Sequence, residues 1–260
     1  MSPGARHLIL NLLLGAGGAP LSARQAVASC ALFGIRENSA RVALARLASA
    51  GLIVASGRGS YALGPQAEAL AADVAQWRSA EQRVGDWQGG WIAVHVAGLG
   101  RSDRTALRAR ERALGMLGLA ELERGLYLRP DNLGQGAAGV RERLDKLGLG
   151  PDIAVFAARD FDAGRERQAR RLWDGAALNR RYRKMGQRLA AWLDRSRGLE
   201  PEAAAREAFL LGHEAIRELV FDPLLPDPLV DVQARRAYTD TVLAFDAAGQ
   251  ALWQRFLATA

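Results

Sequence analysis

Gly34-Ile35-Arg36-Glu37-Asn38-Ser39-Ala40-Arg41-Val42-Ala43-Leu44-Ala45-Arg46-Leu47, followed by Gly51-Leu52 and by Gly57-Arg58-Gly59-Ser60-Tyr61, is the stretch on which the fold turns. The spacing of Val42, Leu44 and Leu47 predicts a helix with one buried face, running to about Ala50. Asn38 or Ser39 is suited to cap it, because a short side-chain oxygen can accept from the free amides of the first turn. Gly51 stands just past its end, where a left-handed residue is wanted. Leu52-Ile53-Val54-Ala55 then reads as a short strand, Ser56 to Ser60 as a tight glycine-rich turn, and Tyr61-Ala62-Leu63 as the return strand.

Working outward, Arg6 to Leu14 predicts a first helix that ends in the Gly15 to Gly18 stretch. Ser22 is a fair cap for a second helix over Ala23 to Ala31, with Ala26, Val27 and Cys30 on one side, before Gly34 breaks the chain. Helix, helix, turn, helix and hairpin within residues 1–64 is the element order of a winged helix-turn-helix. An export signal built on Arg6 and the run Leu8 to Leu14 is the poorer reading, because the run is short and Asn11 interrupts it.

The charge distribution points the same way. The chain of 260 residues carries a net charge of +7, and residues 1–64 hold six arginines against one acid, Glu37. Most of the basic excess therefore lies in the N-terminal quarter, as a polyanionic partner would require. Cys30 is the one cysteine, which excludes an intramolecular disulfide and a cysteine-based zinc cluster. His7, His95 and His213 are scattered, so no metal site and no cofactor are expected. A cytoplasmic protein is expected, with no membrane partner, since no run approaches the ~18 apolar residues of a membrane span.

Beyond Leu63, Pro65 begins a connecting helix expected to reach about Trp77. Trp91 to Ala97, Gly125 to Arg129 and Ile153 to Ala157 read as three strands, separated by helices at Arg104 to Leu117 and Val140 to Leu147. Strands and helices in that alternation predict a small ferredoxin-like domain. Helices follow at Gln168 to Trp173, Leu178 to Ser196, Pro201 to Val220 and Asp231 to Leu257. The fold class is thus α+β and mostly helical: a winged helix-turn-helix at 1–64, a connecting helix and linker at 65–88, a ferredoxin-like domain at 89–160 and a helical C-terminal domain at 161–260.

In a winged helix the third helix enters the major groove and its N-terminal side chains meet base edges. Arg36, Asn38, Ser39 and Arg41 take those positions here. Arg41 suits a guanine edge, Asn38 an adenine or a phosphate, and Ser39 a phosphate, while Arg46 reaches the backbone a turn later. Arg58, Gly59 and Ser60 form a small wing tip able to lie along the sugar-phosphate rail, with Arg58 turned into a minor groove. The same positions would also suit the solvated face of a small interaction module.

Other patterns carry less. Gly134-Gln135-Gly136-Ala137-Ala138-Gly139 matches G-x-G-x-x-G, but Pro130 to Leu133 separate it from its strand, so a glycine-rich connection explains it better. Asp160 and Asp162 read as loop or helix-cap residues. Arg165 to Arg188 holds nine basic residues around Trp173 and Tyr182. It is a solvated helix face or, more sharply, an anion site with Arg180, Arg181 and Arg183 on phosphates and Trp173 or Tyr182 on an apolar group. A nucleic-acid-processing enzyme with a metal site in the ferredoxin-like domain is the alternative class. It needs carboxylates at the end of the first central strand, and Ala97-Gly98-Leu99-Gly100 supplies none.

The opening stretch, with Trp91-Ile92-Ala93-Val94-His95, Leu172-Trp173-Asp174, Tyr182 and Phe221-Asp222-Pro223-Leu224-Leu225-Pro226, resembles the PaaX repressors of phenylacetate catabolism. The N-terminal part is also similar to the GntR-type winged helix. The resemblance implies a homodimeric repressor on an inverted-repeat operator of double-stranded DNA, released by an acyl- or aryl-CoA thioester. It departs from the family in a shortened link between the first two helices and in lacking Trp-Pro-Gly after the Pro-rich segment.

Overall fold

A computed structural model describes residues 3–68, 75–100, 103–150 and 153–260. They form a mostly helical α+β chain with two small antiparallel sheets, one of three strands and one of four. Contacts divide the chain into two compact units. The first comprises Met1–Gln76, Leu189–Glu214 and Val242–Ala260, and the second Trp77–Arg188 and Ala215–Thr241.

The first unit begins with α1 (Ala5–Gly15), β1 (Leu21–Ser22), α2 (Ala23–Ala31), α3 (Glu37–Ser49), β2 (Ile53–Gly57) and β3 (Ser60–Leu63). Ser22 caps α2 as expected, in a full capping box: its hydroxyl accepts from the Gln25 amide at 3.1 Å, and the Gln25 side chain accepts from the Ser22 amide at 2.9 Å. The start of α3 differs from expectation. Arg36 is its N-cap and makes no side-chain cap bond, so Asn38 and Ser39 lie inside the first turn. The helix ends as foreseen, with Gly51 at φ +67° and the Leu52 amide donating to the Leu47 carbonyl at 3.0 Å. β3 pairs with β2 and with the two residues of β1, a strand the sequence did not announce.

One buried cluster of this unit joins its N-terminal elements. Leu8, Ile9, Leu12 and Leu13 of α1 meet Ala26 and Cys30 of α2, Ala40, Ala43, Leu44 and Leu47 of α3, and Ile53 of β2. Ala205 and Trp253 are buried in the same cluster, with Phe209, Phe256 and Leu257 packed against it. A stretch of about 60 residues buries little apolar surface alone, and the C-terminal segments enlarge this core. The expected buried position Val42 is instead 42% exposed. The inward row is Ala40, Ala43, Leu44 and Leu47, the i, i+3, i+4, i+7 stripe of a helix. Residues 65–68 are helical, while the rest of the expected connecting helix falls mostly on 69–74, outside the described residues; Gln76–Ser79 is a 3-10 turn.

The second unit contains β4 (Trp91–His95), α4 (Arg104–Met116), β5 (Ala120–Glu123), β6 (Leu126–Pro130), α5 (Gly136–Lys146) and β7 (Ala154–Ala158), with sheet order β5-β6-β4-β7. The three expected strands are present, and β5 joins them as the partner of β6 across Arg124-Gly125. Central β4 is covered on both faces, which accounts for its unbroken apolar run. Ile92 and Val94 pack with Ala113, Leu114, Val140 and Leu144 on one side. Trp91 and Ala93 pack with Leu122, Leu128 and Ala169 on the other. Four helices complete the chain: α6 (Ala163–Arg170), α7 (Gly175–Arg195), α8 (Pro201–Val220) and α9 (Val232–Thr259). Asp162 caps α6 by accepting from the amides of Gly164 and Arg165 at 2.8 and 2.9 Å, so this helix starts earlier than expected and stops before Trp173.

Candidate nucleic-acid interface

The buried stripe of α3 determines what the helix presents outward. At ~100° per residue, the side opposite Ala40, Ala43, Leu44 and Leu47 is centred on Asn38, Val42, Ala45 and Ser49, all exposed. Arg41 flanks this face on one side, Ser39 and Arg46 on the other, and Arg36 precedes the helix; all four are exposed. Asn38, Ser39, Val42, Ala43 and Arg46 line a shallow groove of about 410 Å³ with Gly4, Ala5 and Arg6 of the first helix's start. Gly4, Ala5, Arg6, Val42 and Ala43 are the members that reasoning from the sequence missed. The signal that finds Val42 is the alanine content of α3: once Ala40 and Ala43 are counted as core, Val42 falls on the outer side.

Arg41 is held by Glu37 one turn back, donating through Nε at 2.9 Å and Nη2 at 2.7 Å, with both side chains about 60% exposed. The side chains of Arg36, Asn38, Ser39 and Arg46 have no partner among the described residues.

The hairpin is pinned to α2. Gly57 pairs with Ser60, leaving Arg58-Gly59 as a two-residue loop, with Gly59 at φ +71°. The Gly59 carbonyl accepts from the Ala23 amide at 2.8 Å, and Ser22 pairs with Ser60. Arg58 and Gly59 are exposed and Ser60 is half-buried behind them. The hairpin thus carries one exposed cation at its tip, beside a helix whose outer face is polar and cationic around one valine.

The residues proposed for an anionic ligand part company. Tyr182 is buried, stacks on Tyr238 at 5.7 Å, and donates its hydroxyl to Asp222 Oδ2 at 2.6 Å. Burial, with the Asp222 carboxylate beside it, pushes the Tyr182 phenol far above its ordinary value. Burial likewise pushes the Asp222 carboxyl up, against the pull of Tyr182, the Leu224 amide and Arg235. Trp173 is half-buried and stacks parallel to Trp91 at 6.2 Å; Trp87 meets Trp91 edge-on at 5.1 Å, and Arg170 lies over the Trp87 ring at 4.9 Å. Arg183 pairs with Asp231 at 2.6 Å, and Arg181 stands 3.9 Å from Glu218. Arg180 is exposed. The three arginines and Tyr182 therefore face different sides of α7, with Tyr182 turned into the core.

Two buried arginines hold the Pro-rich segment between α8 and α9. Arg235 forms a two-point pair with Glu81, at 2.6 and 3.3 Å, and also donates to the Leu225 carbonyl. Arg129 donates to the carbonyls of Leu117 and Pro130 and to Asn132, whose amide donates to the Leu224 carbonyl at 2.7 Å. Burial lowers the Arg129 guanidinium to about 10. Among the described residues no group of three or more His, Cys, Asp or Glu is placed to hold a metal ion, and no helix is long and apolar enough to cross a membrane.

Residues 4–67 match a family model described as PaaX-like protein, and residues 173–255 match one described as PaaX-like protein C-terminal domain. With these matches at its two ends, the chain falls in a class of transcriptional regulators. It belongs to the PaaX family. Its structure is similar to that of an uncharacterized protein, Rv0674, from Mycobacterium tuberculosis, with a TM-score of 0.60 and 27% identity over 96% of this chain and 99% of that one. No curated protein matches it.

Proposed function

We propose that this chain is a sequence-specific DNA-binding regulator in which α1 to β3 act as a winged helix-turn-helix. The carrying observation is the outer face of α3, where Arg36, Asn38, Ser39, Arg41 and Arg46 surround Val42 on a fully packed core. A helix about 10–12 Å across enters a major groove of about that width. Arg41 then takes a guanine edge and Asn38 an adenine, Ser39 and Arg46 meet backbone phosphates, and Arg58, Gly59 and Ser60 run along the adjoining strand.

The reading extends to the rest of the chain. The order β4-α4-β5-β6-α5-β7 with its sheet order supports a ferredoxin-like middle domain. The family supports a cytoplasmic homodimeric repressor released by an acyl- or aryl-CoA thioester. For such an effector Arg180, Arg181 and Arg183 are available only singly, from different sides of α7 and with Arg183 first leaving Asp231, and the half-buried Trp173 is the aromatic wall; Tyr182 is committed to the core.

Selection of duplexes from a random-sequence pool tests the reading. The expected result is an enriched sequence bound at least about a thousandfold more tightly than unrelated DNA, with the logarithm of the affinity falling linearly in log salt. Equal affinity for all sequences overturns it. Titrating CoA thioesters into the complex tests the effector: release must be matched by the same factor of weaker thioester binding in the presence of operator, and a panel that shifts nothing removes the thioester while leaving DNA binding in place.

A further inference from the structure

We infer that Val42 reads the 5-methyl group of a thymine, an inference that rests on the DNA-binding reading above and names a specificity residue within it. Val42 is 42% exposed, although the next two residues, Ala43 and Leu44, are at most 4% exposed. It stands at the middle of the outer face of α3, with Asn38 one turn before it and Arg46 one turn after. Val42 is neither in the buried core of this unit nor among the side chains packed against it, so the core does not call for a valine there. A β-branched side chain in the middle of a helix is a poorer helix former than alanine, lysine or arginine, and this one lies outside the core cluster.

The surroundings select the occupant. Asn38, Ser39 and Arg46 line the same groove as Val42, and Arg41 flanks its other side. An apolar protein surface seated on Val42 would strip water from these polar and cationic groups without giving them partners, which is costly. A major groove supplies acceptors and phosphates for all of them. The apolar group on its floor is the thymine methyl, since the other bases present hydrogen-bonding edges there. Spacing agrees: four residues of helix place Val42 about 6 Å along the axis from Asn38, the rise of about two base pairs.

The test uses the full chain and the duplex enriched from a random pool. Each thymine is replaced in turn by deoxyuridine, which removes the methyl and nothing else. The expected result is one position per half-site where the replacement weakens binding about fourfold, the value of one buried methyl-sized group. In Val42→Ala that penalty disappears, while affinity for unrelated DNA and its salt dependence match the parent. Val42→Ala should melt close to the parent, because Val42 lies outside the core cluster and alanine is the better helix former. Re-selection with Val42→Ala should keep the other positions of the site and relax this one. The inference is overturned if no thymine methyl matters to the parent, or if the penalty persists unchanged in Val42→Ala; in both cases sequence-specific binding by the parent stands. If the parent enriches no sequence at all, the DNA-binding reading falls and takes this inference with it.

Discussion

Arg41 is already engaged within its own helix, since it donates twice to Glu37. An exposed i,i+4 pair of this kind is worth only about 0.3–0.5 kcal/mol, so exchanging the carboxylate for a guanine edge costs little. Arg58, on its glycine hairpin, has no such partner among the described residues and is exposed. The two substitutions should therefore differ in kind. Arg41→Ala should lose about 1–3 kcal/mol on the enriched site and relax one position. Arg58→Ala should weaken all sequences alike and lower the log-salt slope by about one. Anisotropy titrations at several salt concentrations separate them, and parental behaviour in both variants would remove this face from the interface. Cys30 makes a second prediction. Burial raises its thiol to about 11 and leaves it fully enclosed, so it stays protonated at neutral pH. Alkylation by iodoacetamide should proceed at the rate of unfolding; fast modification of the folded protein would contradict the packing.

Elements in this chain are held at their ends. The α2 capping box ties Ser22 to Gln25, and the Gln25 side chain also donates to the Leu257 carbonyl at 2.9 Å. Ser22→Ala removes a cap bond and should cost about 1 kcal/mol, read as a lower urea midpoint with an unchanged slope. Gly64 shows why a residue without a side chain closes the hairpin: a Cβ there would sit 2.2 Å from the Gly51 carbonyl oxygen. The Pro-rich segment depends on a different device, a set of buried polar side chains. Tyr182→Phe deletes the hydroxyl that donates to Asp222 and leaves a buried carboxylate oxygen without that donor. A loss of about 1–3 kcal/mol should follow, visible in the unfolding of the second unit; an unchanged midpoint would mean that Asp222 finds another donor. Ser22 was legible because capping is decided within four residues. The Tyr182–Asp222 bond joins residues 40 apart, and nothing local announces it.

At the scale of the molecule, a single α3 seated in a major groove, as proposed, would meet only a few base pairs, which is too little to mark a site in a genome. A two-fold pair of chains, the assembly proposed above, would double the site and make it an inverted repeat. Footprinting should show two half-sites one or two helical turns apart, about 34 Å per turn, with a dimer in sedimentation experiments. A single unrepeated half-site occupied by a monomer would overturn the dimeric reading. The charge asymmetry fits this assembly, since most of the +7 resides in residues 1–64.

What the sequence by itself determined is what short-range physics decides. Ser22, Gly51 and the glycine hairpin punctuate the first sixty residues, and the helix and strand periods between them follow from which side chains can share one face. Cys30 and the apolar run of β4 were likewise readable as core. Tertiary structure decided the rest. Alanine is too small to declare itself buried or exposed, so the rotation of α3 that hides Ala40 and Ala43 and exposes Val42 depended on α1 and α2. Whether Tyr182 faced a ligand or the core depended on Asp222 and Tyr238, far along the chain. The placing of Ala205 and Trp253 in the core of the N-terminal helices was invisible for the same reason: a small domain's apolar surface states that it needs covering, and only the folded chain says by what.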